Sequence, residues 1–455
     1  MRFLQPYRIA VLVALLSSIL YYLFAYHLQR TEYTKLLLLY TSLWAVYLIL
    51  MILQKGNFKL LAIISFIFRG IFILAIPNLS QDFYRFLWDG RMIVEGLNPY
   101  LYTPNSIVKA NQFLIPHARE LYDGMGSLNA SHYTNYPPIK QFCFTLATIF
   151  SKHSILGSVI ILRLLIIAAD FGTLYYGKKL LEKLNLPVEN IFWYILNPFI
   201  IIELTGNLHF EGIMVFFLIL GLYALHQEKW IRAAVVIGLS ISVKLIPLMF
   251  LPLFFKYFRK ENKFGAIDIK KLTAFYAITG LTTVILFLPF FSPEFITNYS
   301  QTVALWFNNF EFNASFYYIA REIGYLFRGY NEIAIIGKIL AGITFFSIIG
   351  LSVLRNNQTA KQLILSMFIA ISIYLFLSTT VHPWYLTTLL VLAVFTEYKF
   401  PLVWTAVIIL SYLSYLNLNS ADKSENLWLI GIEYLVVFLF LFWEIFREKN
   451  LIASR

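Results

Sequence analysis

Three charged side chains share one side of a predicted helix in the stretch SQDFYRFLWDGRMIVEGLNPYLYTP, residues 80–104. At about 100° per residue, Asp82, Arg85 and Asp89 fall on a narrow stripe beside an apolar face. This pattern is typical of a helix that lies at a membrane surface with its charged row directed away from lipid. Ser80 is predicted to cap the start of the helix, and Gly96 to end it.

The residue types here and elsewhere in the chain suit the transfer of a group from an activated lipid donor. A carboxylate can accept the proton of an attacking hydroxyl, and lysine or arginine can hold a phosphate leaving group. Aromatic faces suit sugar rings. The polar residues predicted to converge on one side of the membrane are Asp82, Arg85, Asp89, Arg91, His132, His209, Glu211, Lys244, Glu311, Asn313, Arg321 and His382.

Composition excludes a soluble globular domain. Of 455 residues, 59% are hydrophobic and only 13% are charged, and the mean hydropathy is +0.71. Apolar windows of about 20 residues, the length that a helix needs to cross a bilayer, recur along the chain. Because a segment in lipid must satisfy its own backbone, the sequence predicts an all-α polytopic membrane protein, with residues 1–455 as one integral membrane domain.

The formal net charge of +12 does not indicate nucleic acid as a partner. The lysines and arginines lie mainly in short connectors between apolar segments, where they set orientation in the membrane. Cys143 is the single cysteine, which excludes an internal disulfide and a cysteine-based metal site. His209 and Glu211 are too few ligands to predict a metal site, so no metal or other cofactor is predicted.

The predicted spans set the topology. A short apolar piece at 139–151 is predicted only to dip into the membrane, so that Lys178 and Lys183 reach the cytoplasm. This arrangement gives about fourteen crossings, both termini in the cytoplasm, and two long outer loops at 78–139 and 291–332. The spans are 9–26, 35–54, 59–77, 157–177, 190–206, 212–226, 231–243, 245–257, 272–290, 333–353, 361–380, 384–398, 401–417 and 427–446.

Several polar residues stand at special places in this topology. Lys244 lies between two apolar half-helices, at their predicted outer tip, and His382 precedes Trp384 and Tyr385 at the outer end of a span. Arg69 and Asp170 lie within spans, where a lone charge is costly. We therefore predict that these two residues pair.

Five blocks of the sequence together resemble a known superfamily. They are DFYRFLWDGRMIVEGLNPY at 82–100, Tyr-Pro-Pro at 136–138, Lys-Leu-Ile-Pro at 244–247, FEFNASFYY at 310–318 and His-Pro-Trp-Tyr at 382–385. In this order they resemble the C-type membrane-embedded glycosyltransferases, and most of all the family 87 polyprenol-phosphate-mannose-dependent mannosyltransferases. The resemblance covers roughly residues 60–400. This chain differs in carrying two spans before the usual first span and in carrying Glu211 where some relatives have Asp.

The resemblance implies an inverting transfer of a hexose, mannose above all, from a polyprenyl-phosphate donor to a lipid-linked or envelope glycan acceptor. It implies a plasma-membrane enzyme of bacteria with an extracytoplasmic site. The family's catalytic acid in the first outer loop maps onto Asp82, which would take the proton of the acceptor hydroxyl. The predicted substrate contacts are Arg85, Asp89, Arg91, His209, Glu211, Lys244, Asn313, His382, Trp384 and Tyr385.

Two alternatives remain open from the sequence. A transporter or lipid flippase would place ionisable groups near the membrane midplane, often between related repeats, whereas here the acids are predicted at an outer face and no repeat is evident. A glycan polymerase or ligase would use a diphosphate donor and rely on arginines. For Asp89, pairing with Arg85 or Arg91 is the alternative to substrate contact.

Overall fold

The computed structural model describes residues 8–112, 114–259, 266–308, 310–419 and 425–453. Within these ranges every regular element is helical, and the only β pairings are isolated bridges, Arg259 with Ile267 and Phe312 with Thr380. The α-helices are α1 Arg8–His27, α2 Tyr33–Leu53, α3 Phe58–Ile71, α4 Asp82–Val94, α5 Pro104–Lys109, α6 Ala118–Ser131, α7 Pro138–Ser151, α8 Ile155–Lys183, α9 Phe192–Ile195, α10 Pro198–Ile200, α11 Glu211–His226, α12 Trp230–Val243, α13 Ile269–Phe287, α14 Pro293–Asn308, α15 Phe316–Arg328, α16 Ile333–Leu354, α17 Ala360–Leu377, α18 Leu386–Ala393, α19 Phe400–Val407 and α20 Leu427–Ala453.

Tighter and wider helical turns occupy the remaining regular segments. A π-helix covers Ile201–Gly206. The 3₁₀ helices are Val188–Ile191, Ile246–Lys256, Leu288–Phe290, Pro383–Tyr385 and Ile408–Asn419.

The prediction of an all-α polytopic membrane protein is confirmed. Seven helices of the described chain are long and apolar enough to cross a membrane, and the bent pair Pro198–Gly206 and Glu211–His226 raises that number to eight if it is one span. Four shorter apolar helices lie between them. The predicted total of about fourteen crossings, and the sidedness of the loops, remain predictions.

Side-chain caps explain where several long helices begin. Asn57 accepts a hydrogen bond from the backbone at the start of α3, Ser154 does so at the start of α8, and Thr359 forms a capping box with Gln362 at the start of α17. Each cap satisfies an amide that the helix itself leaves without a partner.

Several predicted spans are not continuous α-helices; the span predicted at 384–398, for example, begins in a 3₁₀ turn and is α-helical only over Leu386–Ala393. The segment predicted as a span at 190–206 is instead a 3₁₀ turn, two short α-helices and the π-helix; Pro198 contributes to the break because proline lacks the N–H that the helical ladder needs. The segments 245–257 and 401–417 are wholly or partly 3₁₀ helix.

The helices that position the site pack around α11. This helix lies between α8 and α12, α13 packs on the far side of α12, and α4 of the first long loop packs against α6 and α7. The outward faces of peripheral helices carry exposed apolar side chains, such as Leu12 at 65% and Phe346 at 72%. Those faces suit contact with lipid tails.

Candidate active site

Helix α4 presents Asp82 in its first turn. The N-cap residue is Gln81, so the helix starts one residue later than the predicted cap at Ser80 implied. The hydroxyl of Ser80 still accepts a hydrogen bond from the backbone N–H of Asp82 at 3.3 Å. Gly96 ends the segment with φ +75, and the backbone bonds from Gly96 to Ile93 and from Leu97 to Met92 form a Schellman motif.

The carboxylate of Asp82 faces a cavity and is partly exposed there. Asn129, near the end of α6, donates from Nδ2 to Oδ1 of Asp82 at 3.1 Å. Burial raises the pKa of Asp82 above its usual value, while the hydrogen bond from Asn129 and the charge of Lys140 act in the opposite direction.

The opposite wall of the cavity is built by a sharp bend of the chain. The π-helix that ends at Gly206 meets α11 at an angle of 115°. His209 lies in the bend and Glu211 opens α11, and their exposed fractions are only 3% and 1%. The bend therefore turns two ionisable side chains toward the cavity, which both of them line.

Lys244 completes this wall. The α-helix α12 ends at Val243 and the next helix begins at Ile246, so Lys244 sits in an extended break between them, as predicted. Its ammonium forms an ion pair with Oε1 of Glu211 and lies 4.0 Å from the centre of the Tyr385 ring. Oε2 of Glu211 is buried and accepts no hydrogen bond from the described residues.

Trp384 is stacked with two histidines. Its ring centroid lies 3.8 Å from that of His209 and 4.6 Å from that of His382, with interplanar angles of 18° and 7°. Two imidazoles could not lie side by side on one face at these spacings without overlapping, so the indole is sandwiched between them. Each imidazole therefore occupies part of one indole face, which leaves less of Trp384 open for a sugar ring to stack on.

One cavity of about 330 Å³ brings these elements together. Seven of the residues predicted for the site line it: Asp82, His209, Glu211, Lys244, His382, Trp384 and Tyr385. These side chains come from four separate parts of the sequence. The fold places the Asp82 carboxylate, the Glu211–Lys244 ion pair, two histidines and two aromatic rings around one cavity.

Lys140 also lines the cavity, although its sequence pattern did not predict a place in the site. Lys140 lies in the first turn of α7, 6% exposed, and its Nζ faces the rings of Phe86, Tyr136 and Phe210 at 5.6, 4.7 and 5.8 Å. Among the described residues no carboxylate pairs with it at ion-pair distance. The available signal was its position two residues after the Tyr-Pro-Pro block, where it resembles an ordinary membrane-boundary lysine.

Arg85 and Asp89 do not line the cavity, and they form the ion pair that the sequence offered as the alternative to substrate contact for Asp89. Nε of Arg85 donates to Oδ1 of Asp89 at 2.8 Å, and both side chains are buried. Arg85 also donates to the carbonyl oxygens of Asn129 and His132 at 2.5 and 3.1 Å. The two charges satisfy each other one helical turn apart, so the predicted row does not point into the site as a whole.

Arg91 and Asn313 are also placed elsewhere. Arg91 is buried and donates to the carbonyl oxygen of Pro116 at 2.6 Å. Asn313 donates from Nδ2 to Glu433 at 3.1 Å, so it ties the second long loop to α20. Neither residue lines the cavity. Neither predicted contact therefore lies at the cavity, and the hydrogen bonds that Arg91 and Asn313 form are internal to the protein.

No trio of metal-ligating side chains appears in the part of the chain that the structure describes. Independence from metal therefore remains a prediction. His132, which lines the cavity, is a poor candidate for a positive charge, because burial and the nearby Arg85 lower its pKa to about 4.

Comparisons with known proteins agree with the resemblance seen in the sequence. Residues 23–258, just over half of the chain, match a family described as "Alpha-(1->6)-mannopyranosyltransferase, N-terminal domain". Similar proteins include Alpha-(1->6)-mannopyranosyltransferase A of Mycobacterium tuberculosis, 22% identical over 38% of this chain and 32% of the relative. Alpha-(1->6)-mannopyranosyltransferase B of Corynebacterium glutamicum is 25% identical over 33% of this chain and 24% of the relative.

The matched regions thus span about a third or less of the length of these two relatives. The family match itself extends through the first long loop, the bend and Lys244. The chain belongs to the Alpha-(1->6)-mannopyranosyltransferase family.

Proposed function

We propose that this protein is an inverting mannosyltransferase. It moves mannose from a polyprenyl-phosphate donor to a hydroxyl of a lipid-linked or envelope glycan, at the extracytoplasmic face of a bacterial plasma membrane. Family membership supports the sugar, and the single observation that carries the reaction is the cavity in which Asp82 faces Lys140, Lys244 and His382.

Asp82 is the general base of the proposed reaction. Its carboxylate takes the proton of the acceptor hydroxyl as that oxygen bonds to the anomeric carbon of mannose. The bond between the anomeric carbon and the phosphate oxygen breaks, and its electron pair leaves with polyprenyl phosphate. Attack from the side opposite the leaving group inverts the configuration at the anomeric carbon.

Lys140 is the cation best placed to receive the phosphate. Lys244 is already paired with Glu211, whereas Lys140 has no carboxylate partner among the described residues. Negative charge moves from Asp82 to the phosphate during transfer, and a fixed ammonium between them stabilises that movement. His382 also lines the cavity. In the proposed reaction it donates a hydrogen bond to the phosphate oxygens.

Glu211 has a different proposed part. With Oε1 held by Lys244, Oε2 remains as a buried acceptor without a partner in the described chain. A sugar hydroxyl would satisfy it, since a buried acceptor left unpaired costs about 1–3 kcal/mol. The Glu211–Lys244 pair thus recognises mannose, while Asp82 and Lys140 act at the two reacting oxygens.

The test is transfer by purified protein from radiolabelled polyprenyl-phosphate mannose to an extracted lipid-linked acceptor. Asp82→Asn keeps the hydrogen-bonding shape but removes the base, so we expect a loss of turnover of at least about 10²-fold with unchanged thermal unfolding. Asp123→Asn, an exposed acid on α6, serves as the matched control and should keep full activity.

Retained turnover in the Asp82→Asn variant would remove this mechanism. Movement of the intact donor across vesicle membranes, without any sugar transfer by the native protein, would instead support a lipid carrier.

A further inference from the structure

A buried arginine joins the two segments that lead into the cavity. Arg163 lies in α8 and is fully buried. Nη1 donates to the carbonyl oxygen of Ile73 at 2.9 Å, Nε to that of Thr205 at 2.7 Å, and Nη2 to that of Gly206 at 3.0 Å. Ile73 precedes Asp82 along the chain, and Thr205 with Gly206 precede His209 and Glu211.

These carbonyl groups need the arginine. They lie at or just after the C-terminal ends of α3 and of the π-helix. The last carbonyl oxygens of a helix receive no hydrogen bond from a helical N–H group. A cation at two helix C-termini is favoured by their dipoles. All three guanidinium nitrogens are used in this way, so one side chain holds two helix ends at a fixed separation.

Two further contacts tie the same segments. Oδ1 of Asn207 accepts a hydrogen bond from the backbone N–H of Leu79 at 3.2 Å, which links the bend directly to the chain ahead of Asp82. Gly206 packs so closely against Phe72 that an added Cβ would lie 3.0 Å from the ring. Bonds and packing therefore agree that the two segments form one unit.

We infer that Arg163 is a positioning residue, which together with Asn207 sets the distance between the Asp82 carboxylate and the Glu211–Lys244 pair. Its effect on catalysis rests on the proposed function, but its effect on the geometry does not. Arg163 does not line the cavity. It acts through the backbone that carries the reactive groups, and small misplacements of such groups are costly to a reaction.

The test combines hydrogen–deuterium exchange with kinetics on the full-length protein in detergent. In Arg163→Met we expect faster amide exchange in peptides that cover 73–82 and 201–211. The amides of Leu79, Asn207 and His209 should be among those affected, because each donates a hydrogen bond to the segment 202–207 that Arg163 holds. We expect kcat to fall by about 10²-fold while KM for the donor changes little. Arg163→Lys should recover part of both effects, because a lysine still donates to these carbonyl groups.

Arg91→Met is the matched control, since Arg91 is another fully buried arginine that binds a loop carbonyl oxygen but not the bend. It should leave exchange at 201–211 unchanged. Unchanged exchange in both peptides of Arg163→Met, an identical response in Arg91→Met, or full kcat in Arg163→Met would each overturn the inference. If the native protein transfers no mannose while Arg163→Met still shows the selective exchange, the positioning role stands and the proposed function fails.

Discussion

Asn129 donates a hydrogen bond from Nδ2 to Oδ1 of Asp82 across 3.1 Å. The backbone carbonyl of the same Asn129 accepts a hydrogen bond from Arg85, which is itself held by Asp89. The Arg85–Asp89 pair therefore acts on Asp82 through α6 and not by direct contact. The Arg85–Asp89 pair on α4 therefore supports the candidate base indirectly, through Asn129.

The pH dependence of transfer should follow the pKa of Asp82. Burial raises this pKa, so the base becomes protonated, and activity falls, at a pH above the ordinary range of aspartate near 3.9. Asn129→Ala removes a hydrogen bond that favours the ionised form, so the pKa rises further. We therefore expect the acid limb of kcat/KM to move to higher pH in this variant.

The control is Ser131→Ala, an exposed residue of the same helix whose hydroxyl bonds only to the backbone of α6. Its profile should overlay that of the native protein. A shift of the Asn129→Ala profile to lower pH would contradict the assignment of Asp82 as the base.

Periodicity and position predicted much of this arrangement. The apolar segments are helical. The predicted pairing of Arg69 with Asp170 is confirmed, because the two buried charges form an ion pair. The sequence also predicted that Asp82, Glu211 and Lys244 lie together, because the predicted topology puts their loops on one side of the membrane; all three line the cavity.

Long-range packing explains what the sequence did not predict. The sandwich of Trp384 between His209 and His382 joins segments distant in sequence, and no local pattern encodes it. The π-helix lies at the end of a predicted span, where apolar residues suit either helical form, and its last carbonyl oxygens accept hydrogen bonds from Arg163. Lys140 looked like a boundary lysine, since the three rings around it come from three separate elements.

Lys140→Gln should weaken binding of the donor. The substitution removes the charge opposite the leaving phosphate and keeps a polar side chain of similar reach, so no buried carboxylate is stranded. A hydrogen bond to a charged group contributes about 1.5–3 kcal/mol, so KM for polyprenyl-phosphate mannose should rise on the order of tenfold to a hundredfold. Steady-state kinetics over a range of donor concentrations measure this change.

Lys152→Gln is the control, because Lys152 follows the C-terminus of the same helix and pairs with Glu95 outside the cavity. It should leave KM for the donor unchanged. Equal donor affinity in native protein and Lys140→Gln would assign the phosphate to other groups.

Removing the Trp384 ring should release both histidines. Each aromatic pair contributes about 0.5–1.5 kcal/mol beyond its burial, so Trp384→Ala should reduce kcat/KM by roughly tenfold or more as His209 and His382 lose their fixed orientation. Trp384→Phe retains a ring for both imidazoles and should keep most of the activity. Transfer assays on the two variants, with their thermal unfolding midpoints, measure this difference.

Trp428→Ala provides the comparison, since Trp428 on α20 is 85% exposed. Trp428→Ala should change neither the transfer activity nor the thermal unfolding midpoint. If Trp384→Phe lost as much activity as Trp384→Ala, the indole would act by its N–H or its size and not by stacking.

The buried ion pair of Arg69 and Asp170 should govern stability without taking part in transfer. Nε of Arg69 lies 2.7 Å from Oδ2 of Asp170, and both side chains are 0% exposed. Asp170→Asn leaves the guanidinium without its counter-charge, so we expect a loss of about 3–5 kcal/mol and a clear fall in the thermal unfolding midpoint in detergent. Replacing both charges, Arg69→Met with Asp170→Leu, should recover part of this loss, because two apolar side chains leave no unpaired charge.

Recovery in the double variant is incomplete for a specific reason. Arg69 also donates to the carbonyl oxygen of Ile195 at 2.8 Å, and methionine cannot replace that bond. The exposed ion pair of Arg119 and Asp123 serves as the comparison for a surface interaction. Asp123→Asn should lower the free energy of unfolding by no more than about 1 kcal/mol. If Asp170→Asn unfolded at the native temperature, or if the double variant were less stable than Asp170→Asn, the pair would not hold α3 against α8 by charge compensation.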